Sequence, residues 1–175
     1  MKERMKAKMK LIIEQAKKQD LPAILEMYKR RVKYNNEHGI PQWNYEEVTW
    51  EAFSKTYTVE DYYVGKLGTT VVCGMFIVDV DDLYWPEVEQ GKYLYLHKIC
   101  VDPAYSKRGF SDQMITYFKE KGRAEGHDEV RLDVREKKDK LRAMYERNGF
   151  RLVRTGQFLP EFTTALYQYK FSWDD

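Results

Sequence analysis

The sequence predicts a mixed α/β (α+β) fold in which one central sheet carries helices on both of its faces. Three observations support this prediction. Segments with the two-residue period of strands interleave with segments of helical period along the whole chain, and turn residues separate them. Their order is β-α-α-β-β-β-α-β-α-β-β, about seven strands and four helices, which is typical of a mixed sheet. A chain of 175 residues can bury one substantial core but is short for two, so we expect a single domain over residues 9–175.

The first strand and the first helix follow a charged leader at residues 1–8. The run KLIIEQA is expected to form the strand. The run KKQDLPAILEMYKRRV is expected to form the helix, because Asp20 can cap the amide groups at its start and Pro22 falls in its first turn, where a missing N–H costs nothing. The residues that recur at helical spacing and should form the buried face are Leu21, Ile24, Leu25 and Tyr28.

The remaining elements follow from changes of period and from turn residues. A loop around Gly39 and Pro41 becomes helical near Glu46, and DYYVGKLG and TTVVCGMFIVDV then form a β-hairpin with its turn at KLG. After an irregular polar loop, KYLYLHKICV has the composition of a buried strand. The second half contains the helix SDQMITYFKEKGRAEG with Met114, Ile115 and Phe118 inward, the strand EVRLDV, the helix KKDKLRAMYERNG, and a closing hairpin of FRLVRTG and TTALYQYKF.

The composition argues against several classes of protein. Lys and Arg number 30 against 28 Asp and Glu, a net charge of +2, which is too balanced for a protein that coats a nucleic acid. Cys73 and Cys100 are too few for the disulfide framework of a small secreted domain. The basic start MKERMKAKMK is followed only by LII, and no run approaches the ~20 apolar residues of a membrane span. We therefore expect a cytoplasmic protein with neither a nucleic-acid nor a membrane partner.

The stretch VDPAYSKRGFSDQM, residues 101–114, indicates an anion site. It leaves an apolar strand, makes a basic turn and enters a helix, whose first amide groups and dipole stabilise a phosphate or pyrophosphate. Lys107 and Arg108 can reach further phosphates, and Gly109 permits close approach of the backbone. The spellings of the two common phosphate loops, G-x-x-x-x-G-K-[ST] and G-x-G-x-x-G, are absent. An ordinary strand-to-helix turn with solvated cations remains the alternative.

The run LHKICVDPAYSKRGFSDQM resembles the acetyl-CoA-binding core of the Gcn5-related N-acetyltransferase (GNAT) superfamily. A second block, RLDVREKKDKLRAMYERNGFRLV, resembles the same family's later strand, helix, Tyr and GF pattern, and AKKQDLPAILEMY its first strand-to-helix step. The resemblance implies a mostly antiparallel sheet with a splayed strand pair that holds acyl-CoA. Ser106 and Ser111 differ from the residues usual in the family, and Lys138 stands where many members have an Asn.

The resemblance implies transfer of an acetyl group from acetyl-CoA to an amine, with no metal. A simple alkylamine has a pKa near 10.4, so a base must remove a proton before attack. The oxyanion then needs donors, and the departing thiolate needs a proton. By resemblance the backbone of Ile99, Cys100 and Val101 pairs with the pantetheine arm and supplies an amide to the thioester oxygen. The remaining residues expected to bind the cofactor are Lys107, Arg108, Gly109, Phe110, Ser111, Asp112, Lys138 and Leu141.

Two residues are candidate catalytic groups. Tyr145 falls where many family members place the Tyr that donates a proton to the leaving sulfur, although a core aromatic beside the GF step is the alternative. His97 lies in LHKICV, which resembles the LH step of serotonin-type arylalkylamine acetyltransferases, where a His relays the proton of the amine through water. A structural His on a strand remains the alternative.

The acceptor is expected to be a small-molecule amine. Trp43 and Tyr45 belong to an aromatic segment that in this family commonly borders the acceptor site, and Tyr95 shares a strand face with His97. Packing of these rings in the core remains the alternative for each. A protein acceptor, an acyl-CoA-binding regulatory module without turnover, and a homodimer sealed by ALYQYKFSW also remain open.

Overall fold

The computed structural model describes residues 10–175, and the charged leader predicted at residues 1–8 lies outside the described residues. It contains a seven-stranded, mostly antiparallel sheet. The strands are β1 (Leu11–Gln15), β2 (Tyr62–Leu67), β3 (Thr70–Val78), β4 (Leu94–Val101), β5 (Glu129–Arg135), β6 (Arg151–Leu159) and β7 (Phe162–Lys170). Their order in the sheet is β1-β2-β3-β4-β5-β7-β6, with β4 and β5 parallel.

Within residues 10–175, four α-helices connect these strands in the predicted order. They are α1 (Leu21–Glu37), α2 (Trp50–Phe53), α3 (Phe110–Ala124) and α4 (Asp139–Arg147). The predicted mixed α/β fold and its element order are therefore confirmed. No helix within residues 10–175 is long and apolar enough to cross a membrane.

Two local predictions at the edges of elements were wrong. Asp20 occupies the N-cap position of α1, but its side chain accepts no hydrogen bond from an amide of the helix. Asp20 is also the third residue of a 3-10 turn, and its carboxylate accepts a hydrogen bond from the Lys17 amide at 2.8 Å instead. The same carboxylate forms an ion pair with Lys66 Nζ at 2.9 Å. The turn was expected at KLG, residues 66–68, but Lys66 and Leu67 still pair with β3 as the last residues of β2. Gly68 and Thr69 make the turn.

The contacts divide the chain into two compact units, so the single domain expected for residues 9–175 stays a prediction. The first unit contains the described residues up to 76 and residues 98–114. Its core is aromatic, because α1 directs Tyr28 against the rings of Trp43 and Phe53 at centroid distances of 5.4 and 5.2 Å. This packing holds α1 on the sheet of the first unit.

The second unit contains residues 77–97 and 115–175. β5 pairs with β7 over its whole length, from Glu129↔Lys170 to Arg135↔Thr164. The buried face of β5 and helix α3 supply the apolar core of this unit. Ile115 and Phe118 are fully buried, as predicted. Met114, which belongs to the first unit, is fully buried as well. The loop between β3 and β4 contributes Tyr84 and Trp85 to a further apolar cluster.

Candidate active site

β4 becomes irregular in its second half, which belongs to the first unit. Lys98 has a φ of +56°, a left-handed conformation that interrupts a regular strand. The paired residues of β4 and β5 run only from Leu94↔Val130 to Leu96↔Leu132, although β4 continues to Val101. The irregularity lies where the sequence predicted a bulge beside Ile99, and the cofactor role of that backbone stays a prediction.

The basic turn after β4 has an unusual backbone. Lys107 and Gly109 both have positive φ, +62° and +77°, and α3 begins at the next residue, Phe110. A Cβ built at Gly109 would meet no heavy atom within 4 Å, so this side of the turn is open. Alternation of left-handed and ordinary residues turns successive amide groups toward one side, and the start of a 15-residue helix adds the positive end of its dipole. The turn therefore has the geometry of an anion site.

The side chains of this segment divide into exposed and buried groups. Lys107 and Arg108 are exposed, and the Arg108 guanidinium lies 5.1 Å from the centre of the Tyr105 ring. Phe110 is buried, whereas Ser111 and Asp112 are half-buried. The cations are thus available to an anion, while Phe110 anchors the start of α3 in the core.

The strand residues Ile99, Cys100 and Val101 offer their backbone rather than reactive side chains. Cys100 is buried, and burial raises the pKa of its thiol to about 12. The thiol therefore keeps its proton at neutral pH and is a poor nucleophile. This agrees with a role in which side-chain identity matters little.

His97 lies in the second unit between two carboxylates. Its Nε2 is 3.1 Å from Asp81 Oδ2 and its Nδ1 is 3.1 Å from Asp133 Oδ1. The Asp81 side chain is 4% exposed, and its other oxygen accepts hydrogen bonds from the Leu83 and Tyr84 amides at 3.1 and 3.0 Å. The two oxygens that face His97 are buried and have no other hydrogen-bonding partner among the described residues. His97 was predicted from the sequence, whereas neither carboxylate was.

The carboxylates set the charge of His97. Burial is the largest influence and lowers the pKa of the imidazole, but Asp133 and Asp81 together outweigh it and raise the pKa to about 9. A neutral imidazole has one N–H, whereas a protonated one offers a donor to each carboxylate, so the geometry matches the cation. A protonated His97 cannot accept the proton of an amine. Its role as the base stays a prediction, and it requires the minor neutral form at pH 7.

The same three residues form the one group of possible metal ligands within residues 10–175, with ligand atoms within 4.8 Å of one another. A single ring nitrogen of His binds a given ion, but here each nitrogen faces a different carboxylate. The arrangement therefore fits an imidazolium better than a metal ion. The expectation that the protein needs no metal stays a prediction.

Tyr145 lies on α4 and is 2% exposed. Its ring packs near those of Phe150 and Tyr167, at centroid distances of 6.2 and 6.5 Å, so it serves the core of the second unit. Burial and then the negative charge of Asp133 raise the pKa of its hydroxyl above the usual value. The hydroxyl therefore keeps its proton across the working range of pH, as a proton donor must.

The other two predicted cofactor residues lie at the start of α4. Lys138 immediately precedes the helix and is half-buried, and burial followed by the charge of Arg135 lowers its pKa. Leu141 is half-buried on the first turn of α4. Arg142 donates to the Tyr167 hydroxyl at 2.9 Å and to the Glu136 carbonyl at 3.1 Å, so its guanidinium is engaged within the protein. The cofactor roles of Lys138 and Leu141 stay predictions.

The predicted acceptor aromatics are in different environments. Trp43 is buried against Tyr28 in the first unit, which is a packing role. Tyr45 is 47% exposed in the same unit. Tyr95 is fully buried against Trp85 in the second unit, and its hydroxyl has no hydrogen-bonding partner among the described residues. Of these three, Tyr45 alone presents its ring to solvent, and the acceptor role of all three stays a prediction.

Solved structures of acetyltransferases share this fold. A GNAT-family acetyltransferase from Listeria monocytogenes matches with a TM-score of 0.71 and 20% identity, over 92% of this chain and 95% of that one. The PaiA N-acetyltransferase from Thermoplasma acidophilum, solved in complex with coenzyme A, matches with a TM-score of 0.69 and 15% identity, over 93% of this chain and all (100%) of that one. At these identities the likeness establishes the fold alone.

The family follows from the sequence match. The model of the acetyltransferase (GNAT) family matches residues 21–150, and the chain belongs to this family. A curated relative, the chloroplastic GCN5-related N-acetyltransferase 6 of Arabidopsis thaliana, is 28% identical over 79 residues, which cover 45% of this chain. The match spans only 27% of that relative's length. The resemblance stated from the sequence is therefore confirmed.

Proposed function

We propose that the protein is an N-acetyltransferase that moves an acetyl group from acetyl-CoA to a primary amine of a small molecule, by direct attack in a ternary complex. The observation that carries this proposal is the geometry of residues 98–112. The second half of a strand with one left-handed residue, a turn with two left-handed residues and the start of a long helix follow one another there. Membership of the acetyltransferase (GNAT) family supports the same reaction.

Acetyl-CoA would be held mainly by backbone groups. The amide groups of the turn and of the start of α3 would bind the pyrophosphate, assisted by the exposed cations Lys107 and Arg108. The open space beside Gly109 fits close approach of a phosphate. The backbone of residues 99–101 would pair with the pantetheine arm, and acetyl-CoA would supply the activated acyl group as a thioester.

The side chains of the second unit would handle protons and charge. As the C–S bond of the intermediate breaks, Tyr145 would donate its hydroxyl proton to the leaving thiolate, and its phenolate would regain a proton from the nitrogen that becomes the amide. The amine arrives as an ammonium and must lose a proton, which His97 can accept only in its neutral form. The cluster of Asp81, His97 and Asp133 carries a net charge of −1 when His97 is protonated, so it would favour a cationic acceptor nearby.

Replacing Tyr145 with Phe is expected to lower kcat by about a hundredfold, because the leaving thiolate loses its proton donor. The KM for acetyl-CoA should change little, since the ring and its packing remain. Steady-state release of CoA measures both constants. Tyr169→Phe is the matched control, because it removes another tyrosine hydroxyl of the second unit, one that bonds to Asp174. Equal kcat values for wild type and Tyr145→Phe would contradict the assignment.

Calorimetric titration with acetyl-CoA, CoA and ATP tests the proposed function. We expect acetyl-CoA and CoA to bind and ATP to bind far more weakly. In a second assay, with acetyl-CoA and a panel of small amines, we expect some of the amines to cause release of CoA. Binding without release on any amine or peptide would indicate a regulatory module. Release with peptides alone would indicate a protein N-acetyltransferase, and absence of CoA binding would overturn the proposal.

The location of the protein in the cell and its oligomeric state are also proposals. A cytoplasmic location and a homodimer sealed by the closing hairpin are the expectations from the sequence. Light scattering after size exclusion at micromolar concentration tests the dimer, and a monomer would reject it.

A further inference from the structure

A single arginine of α1 contacts both ends of the segment that joins β4 to the basic turn. Arg31 donates two hydrogen bonds to the Val101 carbonyl, from Nε at 3.0 Å and from Nη2 at 2.6 Å. The same Nη2 lies 3.3 Å from Ser106 Oγ. Val101 is the last residue of β4, and Ser106 is the residue before Lys107. One guanidinium therefore ties the end of the strand to the beginning of the turn.

The guanidinium is itself held in place. Its Nη1 donates to Asn35 Oδ1 at 3.4 Å, one turn further along α1, and Asn35 is buried. Its central carbon lies 5.3 Å from the centre of the Tyr34 ring. Since the planar fork is fixed by these neighbours, little side-chain entropy is lost when it binds the carbonyl.

Tyr28 makes a parallel contact one turn earlier on α1. It is fully buried, and its hydroxyl donates to the Lys98 carbonyl at 2.5 Å while accepting from the Tyr62 hydroxyl at 3.1 Å. Residues three apart lie on one face of a helix, and here they hold two carbonyls that are also three residues apart on β4. These carbonyls bracket Ile99 and Cys100. The face of α1 thus sets the orientation of the irregular part of β4.

We propose that Arg31 is a positioning residue for acyl-CoA, an inference that rests on the proposed function. The peptide groups of residues 99–101 and the turn from Ser106 onward must be placed correctly relative to one another to receive one extended ligand. Arg31 fixes that relation before the ligand arrives, so binding does not have to order the segment. Without Arg31, the backbone amide groups remain present, but those of residues 99–101 and those of the turn are no longer fixed in position relative to one another.

The test compares Arg31→Ala, Arg31→Lys and the control Lys29→Ala by calorimetric titration with CoA. Lys29 is on the same helix, is half exposed and forms an ion pair with Glu26 at 3.2 Å, so its loss removes a positive charge of α1 without removing a hydrogen bond to β4. We expect Arg31→Ala to weaken CoA binding about tenfold, and Arg31→Lys, which keeps the charge but loses the fork, about threefold. Lys29→Ala should bind CoA like the wild type.

Steady-state kinetics separate positioning from a general structural role. If Arg31 is a positioning residue, the Arg31→Ala variant has a raised KM for acetyl-CoA, whereas its KM for the amine stays within about twofold of the wild type. Equal rises in both constants, together with a lower denaturation midpoint, would overturn the inference. If Arg31→Ala does not fold, Arg31→Lys decides by the same two constants, and unchanged CoA binding in that variant would also overturn it.

The outcome for the wild type distinguishes the two proposals. If the wild type does not bind CoA, the proposed function fails and the role of Arg31 fails with it. If the wild type binds CoA and Arg31→Ala binds it within about twofold of the wild type, only the role of Arg31 is rejected.

Discussion

Replacing Gly109 with Asp is expected to weaken the binding of CoA by at least about a hundredfold. The new carboxylate would stand beside the amide groups that are proposed to receive the pyrophosphate, and like charges placed together cost several kcal/mol. A hundredfold loss corresponds to about 2.7 kcal/mol, well within that range. Calorimetric titration with CoA measures the change.

Backbone strain alone would not produce this loss. Gly109 has a φ of +77°, and a side chain in that conformation costs about 1 to 2 kcal/mol of folding energy. Gly91→Asp is the matched control, because Gly91 has a φ of +86° and its Cβ would also meet no heavy atom within 4 Å. We expect Gly91→Asp to lose similar stability and to bind CoA normally. Equal CoA affinity in the two variants would contradict the pyrophosphate site.

Replacing Asp81 with Asn is expected to lower the free energy of unfolding at pH 7 by about 3 kcal/mol, because it removes one partner of a buried charge. The amide side chain of this variant would retain an oxygen for the Leu83 and Tyr84 amides, which now bond to Asp81 Oδ1, so the loop keeps its hydrogen bonds. Urea denaturation measures the loss. Asp79→Asn is the control, since Asp79 lies in the same loop and bonds to Gln90 at the protein surface. An equal loss of unfolding free energy in both variants would contradict the role of Asp81 as the partner of a buried, protonated His97.

The dependence of stability on pH tests the same cluster. The pKa of His97 is raised from 6.5 in the unfolded chain to about 9 in the folded protein. Its contribution to stability is therefore fully present below pH 6.5 and is lost as the pH rises through about 9. We expect the free energy of unfolding to fall between about pH 7 and pH 9.5 in the wild type and to fall less in Asp81→Asn. In NMR titrations, a His97 midpoint below about pH 7 in the wild type would refute the charged cluster.

Much of the fold could be predicted because its signals are local. The strand KYLYLHKICV and the helix that follows the basic turn are marked by composition and period within a few residues. The role of Asp20 was predicted wrongly because a 3-10 turn, Lys18–Asp20, intervenes before α1. Propensity did not distinguish a cap of that turn from a cap of the helix.

The site was predictable only in part. The basic turn and its Gly109 are contiguous in sequence, so their order was sufficient to predict an anion site. Asp133 was missed because the charged residues of EVRLDV alternate with apolar ones and are typical of a solvated face. Arg31 was missed because an arginine among the charged residues of KRRV is typical of the exposed face of a helix. Nothing nearby in the sequence indicates that its partner is a carbonyl 70 residues away.

The amino-acid sequence by itself determined the element order, the membership in the acetyltransferase family and the position of the basic turn, since these depend on local period and on contiguous motifs. The tertiary structure alone decided the charge of His97. Its ordinary pKa is near neutrality, and the protonated form prevails only because folding places Asp81 and Asp133 at its two ring nitrogens. It also decided the hydrogen-bond partners of Arg31, because packing rather than nearness in the chain brings the Val101 carbonyl and Ser106 to its guanidinium.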